Sequence, residues 1–417
     1  MKCTTALSFS VLVWGLALSA PAAEPEKQDL FVAREGGYAS YRIPALVVTP
    51  QQTVLVACEA RQTGRGDWDH VDLFYRRSLD GGGSWQPARE LVGQRDLPSD
   101  LQRNSAAVAA NLGRDGVFTI NNPTWIADPS TGATHLLFCA EYARSFIITT
   151  HDGGATFTSP REITAAFDTF RTRDGYDWRV IAVGPGHGIR LSTGRLVAPI
   201  WLSTGEGGHA HRPSICATVY SDDHGTTWHA GDVIARDPDP LPNPSEAAIA
   251  EPSPGKVLLS IRSESPRNRR ALAWSRDGAT GWSAPAFHDA LLEPVCMAGL
   301  VGTTAPDAVA GPALLLFSNP ASLERIPSAT AASANRRRQN LTVRASRDGG
   351  VTWPIARALE SGPSAYSDLA VTDDGTILCF YERGDRAPYE KLTLARISLN
   401  WLMRQDPAKP ASRRSSE

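Results

Sequence analysis

What this sequence lacks narrows it quickly. It has no excess of charge, because 42 Lys+Arg stand against 44 Asp+Glu for a formal net charge of -2. A protein that neutralises nucleic-acid phosphates needs a basic face, so no nucleic-acid partner is expected. Cysteine is sparse. Of the 6 cysteines, Cys3 lies in the N-terminal segment, and Cys58, Cys139, Cys216, Cys296 and Cys379 are widely spaced. Most of those five sit in or beside apolar, strand-like runs, so they read as small core residues and not as a disulfide framework. No CxxC pair or His/Cys cluster has metal-ligand spacing, and His209 and His211 alternate in a Gly-rich loop that reads as a polar turn. Neither a metal nor an organic cofactor is expected. Beyond the N-terminal segment no apolar run is long enough to cross a membrane. Nor does any stretch carry the period of a long amphipathic helix.

What is present begins with an export pattern. Lys2 is followed by a mostly apolar run from Ala6 to Leu18 and by the small residues Ala20, Ala22 and Ala23. Residues 1–23 read as a signal peptide, with the mature protein periplasmic or extracellular. Residues 405–417, rich in Pro, Ser and charge, read as a disordered tail. Between them, 24–404 shows no linker and reads as one domain. Gly 35, Pro 30 and Trp 11 suit an all-β chain with many tight turns.

One turn repeats. Ser78, Asp80, Gly82, Ser84 and Trp85 form a pattern that returns at Thr150, Asp152, Gly154, Thr156 and Phe157. It recurs from Ser221 to Trp228, in decayed form from Ser275 to Trp282, and from Ser346 to Trp353. Asp and Ser/Thr can bond the turn's own backbone, Gly accepts positive φ, and the aromatic tucks beneath the hairpin. Each copy follows a β-like run, so the repeat marks a hairpin in a small antiparallel sheet. Such sheets bury their faces by stacking around an axis.

These turns are Asp boxes, and they resemble those of sialidases and other Asp-box propellers. The resemblance implies a six-bladed β-propeller, with the box aspartates structural and away from the catalytic face. Further motifs are similar to those of the sialidases in the family's order. Tyr41-Arg42-Ile43-Pro44 resembles the F/Y-R-I-P motif whose Arg is the first of three that bind the sugar carboxylate. Arginine suits that task because its planar fork makes bidentate, charge-assisted bonds. Glu246, followed by a strand ending at Arg262, matches the nucleophile's base and the second arginine. The third arginine falls in the run Arg336-Arg337-Arg338; spacing to the next strand favours Arg338, with its two neighbours as alternatives.

The segment Ala365-Tyr366-Ser367-Asp368-Leu369 resembles the stretch that carries the nucleophilic tyrosine. A neutral phenol makes chemical sense, because the anomeric carbon of a sialoside already bears a carboxylate that would repel an anionic nucleophile. The resemblance places the acid/base at Asp67, with Asp69 as runner-up, Asp72 structural, and Arg61 near the sugar ring. Glu382 would hold Arg42 in orientation, aided by Glu59, and Asn122 would be a polar pocket residue. Arg190, Trp201 and Ser203 depart from the family pattern on the wall that reads the glycerol tail and acyl group, with Trp201 as pocket residue or core aromatic both open. The implied activity is retaining exo-α-sialidase, acting on sialylated glycans, glycoproteins or glycolipids. Rivals are a related enzyme on another ulosonic acid, a trans-sialidase, and a non-hydrolytic sialic acid-binding propeller.

Overall fold

A computed structural model describes residues 23–404 apart from 65, 304–312, 329 and 331–333. The expected export signal, except for Ala23, and the tail 405–417 lie outside the described residues. Strands dominate, for a local reason. Runs such as Val54–Arg61 are apolar at nearly every position and bounded by turn residues, and every residue of that strand is buried. Burial of both faces means that each sheet is covered by another on either side.

The first sheet is a meander of Ser40–Val48, Val54–Arg61, Val71–Ser78 and Arg89–Val92. The same antiparallel order recurs from Ile120–Asp128, from Val180–Val183 and from Ala247–Ser253. A seven-stranded sheet completes the set, and in it the 17-residue strand Ile355–Val371 pairs with Gln339–Ser346 on one side and Ile377–Arg383 on the other. The apolar clusters lie between successive sheets. Ala45 and Leu55 of the first meet Trp125 and Leu136 of the second. Leu46 and Val54 of the first also meet Phe380 and Leu394 of the seven-stranded sheet. The arrangement is that of a β-propeller, closed where Glu26–Val32 pairs antiparallel with Lys391–Ile397.

The five repeated turns form as their sequence dictates. In the first, the Ser78 hydroxyl donates to Asp80 Oδ1 at 2.7 Å and accepts from the Gly82 N–H at 2.8 Å. Asp80 also accepts from the N–H and hydroxyl of Ser84 at 2.8 and 2.7 Å. In the decayed fourth copy the partner comes one residue early, with Thr280 N–H donating to Asp277 at 2.8 Å. The second glycine has a packing reason. Gly82 sits at φ 89, and a Cβ there would lie 3.0 Å from Leu394 of the last sheet. At Gly154, φ 79, it would lie 2.7 Å from Leu55 of the first sheet. Each box thus presses on the preceding sheet.

Register separates two edges. Ser40 opposes Arg61, and Arg61 opposes Val71, so the 62–70 loop and the start of Ser40–Val48 share one edge. Ser78 opposes Val54 at the other end of the same strands, which carries the box. The expected separation of boxes from chemistry follows from antiparallel geometry alone.

Candidate active site

Strand ends from different sheets build one cavity of about 270 Å³ at the edge opposite the boxes. It is lined by Arg42, Asp67, Asn122, Trp201, Glu246, Arg262, Arg338 and Tyr366 among others. All eight were selected from sequence; Arg61 and Glu382, also selected, stand behind the cavity.

The centre is Tyr366, 5% exposed on the long shared strand. Its hydroxyl donates to Glu246 Oε1 at 2.5 Å and accepts from Arg262 Nη1 at 2.7 Å. Arg262 also forms an ion pair with Glu246. Guanidinium carbons of Arg42 and Arg338 lie 5.2 and 5.3 Å from the Tyr366 ring centroid. Burial pushes the phenol well above its ordinary pKa; the Arg262 cation opposes this and Glu246 adds to it. The resting phenol is therefore neutral, with a carboxylate in place to take its proton.

Three cations in one cavity repel one another unless compensated. Glu382, fully buried, accepts from Arg42 Nε at 3.0 Å, from the Ile43 N–H at 3.1 Å and from the Tyr366 N–H at 3.1 Å. One carboxylate thus ties the first arginine to the backbone beneath the tyrosine. Arg338 donates to the Val295 carbonyl at 2.6 Å and to the Tyr389 hydroxyl at 3.1 Å, and Arg42 lies 4.3 Å over the Tyr389 ring. Ile43 and Val295, both β-branched, sit at φ 62 and 61. Such backbone is strained, and here it presents the N–H that Glu382 accepts and the carbonyl that holds Arg338. Arg336 and Arg337 fall outside this cavity, and Arg337 pairs with Glu324 at 2.7 Å.

Asp67 stands at the mouth, its side chain 41% exposed and 2.9 Å from Arg61 Nη1. Burial raises its carboxyl, but the cations, Arg61 first, outweigh burial and hold it at about 2. The runner-up Asp69 does not line the cavity; it is bonded by Thr63 and pairs with Arg114 at 2.7 Å. Asp72 is buried and accepts from Tyr38 at 2.8 Å, the structural part expected of it.

Arg61, expected near the sugar ring, does not line the cavity: it is 1% exposed, with its guanidinium turned to Glu59 and Asp67. Glu59 therefore serves Arg61 and the Asn122 N–H, at 2.9 Å, and not Arg42. Of the wall residues, Trp201 faces the cavity, but Arg190 pairs with Asp128 at 3.0 Å and Ser203 is fully buried outside it.

Sequence reasoning reads His211 as part of a polar turn and does not select it for the site. Its ring lies 5.6 Å from Trp68, 5.0 Å from Tyr142 and 5.2 Å from Trp201, in an aromatic cage against the cavity. Burial lowers its pKa to about 4, so it is neutral near pH 7. His211 Nε2 and Trp201 Nε1 both lack a partner among the described residues, which leaves two polar atoms for a ligand in that wall. The only signal is a His in a Gly-rich loop, too common to select it. No His/Cys/Asp/Glu cluster among the described residues has the makings of a metal site, and no described helix is long and apolar enough to cross a membrane.

Known proteins share this plan. The BNR repeat-like domain family matches residues 105–379. A sialidase of Micromonospora viridifaciens is 31% identical over 402 residues, covering 90% of this chain and 55% of that protein. A sialidase of Bacteroides fragilis (strain YCH46) is 30% identical, covering 84% of this chain and 61% of that protein. The chain thus spans somewhat over half the length of these two relatives. Among solved structures, a Hadza microbial sialidase superposes with a TM-score of 0.70 at 26% identity, over 90% of this chain and 69% of that one.

Proposed function

The chain belongs to the sialidase family of BNR-repeat proteins, and from that premise we propose that it is an exported, retaining exo-α-sialidase acting on sialylated glycans, glycoproteins or glycolipids. We read the seven-stranded sheet as two blades sharing Ile355–Val371, which makes a six-bladed propeller; the apolar clusters between successive sheets support that count. In this reading residues 1–23 are the signal peptide, 24–404 the catalytic domain and 405–417 an appended tail.

Arg42, Arg262 and Arg338 clamp the substrate carboxylate; before it arrives Glu382 holds Arg42, Glu246 holds Arg262, and the Val295 carbonyl and Tyr389 hydroxyl hold Arg338. Tyr366 gives its proton to Glu246 as its oxygen attacks the anomeric carbon, and the bond from that carbon to the leaving oxygen breaks. Asp67 protonates the leaving oxygen, then takes a proton from the water that cleaves the tyrosyl intermediate. At rest Asp67 is ionised. A bound carboxylate competes for Arg42 and the ligand displaces water, and both changes raise the Asp67 pKa toward what an acid needs. Glu59 and Arg61 position Asp67 from behind.

The observation that carries the reading is the 2.5 Å bond from Tyr366 to Glu246 in a cavity that three arginines share. The test is release of 4-methylumbelliferone from its N-acetylneuraminic acid glycoside, beside the deaminated analogue. Turnover of the first supports the exo-sialidase. Turnover of the second alone keeps the chemistry and moves specificity to the Trp201–His211 wall. Silence on both sinks the sialidase reading and leaves an enzyme on another ulosonic acid or a sialic acid-binding propeller. Product analysis with an acceptor sugar separates hydrolysis from transfer.

A further inference from the structure

A second cleft, of about 440 Å³, adjoins the cavity and shares two of its residues, Asn335 and Arg338. Its lining includes Arg336, Arg337, Arg338 and Arg386, and no carboxylate among the described residues. Pro363, Pro388 and Tyr389 supply rigid, partly apolar surface between the charges. Three acids lie nearby: Glu324 pairs with Arg337 at 2.7 Å, Glu390 accepts backbone N–H groups of 385–387, and Asp385 precedes Arg386 in the chain. Four cations line the cleft and none of the three acids does, which leaves its surface basic on a chain whose overall charge is -2. The Glu324–Arg337 pair is exposed, 54% and 46%, so an incoming anion exchanges with it at little cost.

The position matters as much as the charge. In a glycoside of a 2-ulosonic acid, the carboxylate and the leaving oxygen sit on the same carbon. If the carboxylate is held by Arg338, the aglycone starts beside Arg338, and the adjoining basic cleft is within its reach. A neutral sugar gains nothing from guanidinium forks, whereas a carboxylate or sulfate there makes charge-assisted, bidentate bonds.

We propose that this cleft is an aglycone subsite for an anionic saccharide, so that the enzyme prefers substrates whose second sugar carries a carboxylate or a sulfate. The inference rests on the sialidase reading above. It gives Arg336 and Arg386 a role in the leaving half of the substrate and none in the reacting half.

The experiment compares kcat/KM on four substrates: the 4-methylumbelliferyl sialoside, sialyl-lactose, a disialyl-lactose, and a sialyl-lactose bearing a sulfate ester on the lactose. Wild-type protein is expected to favour both anionic aglycones over plain sialyl-lactose, and to lose that preference as salt rises. Arg386→Ala and Arg336→Ala each lower the preference by about three- to tenfold, while the aryl sialoside rate stays unchanged. Arg386→Lys restores part of it, because charge remains and the fork is lost. A preference for the disialyl substrate alone assigns the cleft to a second sialic acid, and for the sulfated one alone to a sulfated sugar. Normal turnover with equal rates on all lactosides, or a preference unmoved by either alanine variant, overturns the subsite and leaves the sialidase reading intact. Silence on all four substrates overturns the sialidase reading and the subsite with it.

Discussion

The two edges of the same sheets hold carboxylates in opposite ways. At the box edge each Asp is satisfied within its own turn: Asp348 accepts from the Ser346 hydroxyl and from the Thr352 N–H at 2.7 and 2.8 Å. At the cavity edge Arg61 still pairs locally with Glu59 and Asp67, but the central partners are distant. Tyr366 meets Arg262 across 104 residues and Glu246 across 120, and Glu382 meets Arg42 across 340. The box carboxylates lower free energy where they stand and have nothing left to offer a ligand. Cavity charges keep unspent valence, and the fold bears the cost of assembling them.

If that contrast holds, changes at the cavity edge reduce rate and changes at the box edge reduce stability. The largest effect is expected of Tyr366→Phe. Turnover should fall by at least about 10³-fold with the melting temperature kept and sialic acid still bound; wild-type rates would end the nucleophile assignment. Asp67→Ala should cost about 10²- to 10⁴-fold on sialyl-lactose, and far less on the aryl sialoside, whose leaving group needs little protonation. An equal loss on both would remove the acid role. The pH profile sharpens this. If Asp67 is the acid, its protonated form is needed while the resting carboxyl is held at about 2, so kcat/KM on sialyl-lactose should fall as pH rises, more steeply than for the aryl substrate.

Glu382→Gln tests a cavity-edge carboxylate that behaves like a structural one. It leaves Arg42 buried without its counter-charge, and denaturant melts should show a loss of about 3–5 kcal/mol together with a raised KM. Loss of neither would mean that Tyr389 suffices to hold Arg42. Gly350→Ala, in the fifth box, puts a Cβ 2.9 Å from Leu258 at φ 96. A stability loss of about 1–2 kcal/mol with unchanged kcat/KM is expected, and a rate loss would break the contrast. The smallest effect is collective. Box carboxyls such as Asp223 and Asp277 are held at about 2; burial alone would raise them, but hydrogen bonds from their own turns outweigh it. A depressed folded pKa contributes stability above the unfolded value. Melting temperature should therefore decline as pH falls from about 4 toward 2, and a flat profile there would deny the boxes that part.

The same contrast explains which features are legible in the sequence. Box partners lie within four residues, so Asp80 and Ser84 announce their turn in the letters themselves. Strand runs such as Val54–Arg61 are equally plain. The cavity is legible only through resemblance, since nothing in the neighbourhood of Arg42 states that Glu382 lies against it. Resemblance names residues but not the direction a side chain faces. That is why it puts Arg61 at the sugar, whereas the guanidinium is turned to Glu59 and Asp67. Trp201, open between core and pocket, is both: 5% exposed and facing the cavity. His211 gives no usable signal, because its cage of Trp68, Tyr142 and Trp201 exists only once three sheets meet.

The pairing of Glu26–Val32 with Lys391–Ile397 bears on how the molecule comes into being. A ribosome delivers the chain from one end, so Glu26–Val32 emerges long before the strand it pairs with. Until Lys391–Ile397 arrives, the Leu46 and Val54 side of the first sheet has no Phe380 or Leu394 to cover it. Closing so long a loop is slow, because its entropy is lost before the contacts repay it. The nascent chain must therefore keep an apolar face out of trouble while the residues between the two strands are made, which makes chaperone capture an expected stage of its biogenesis.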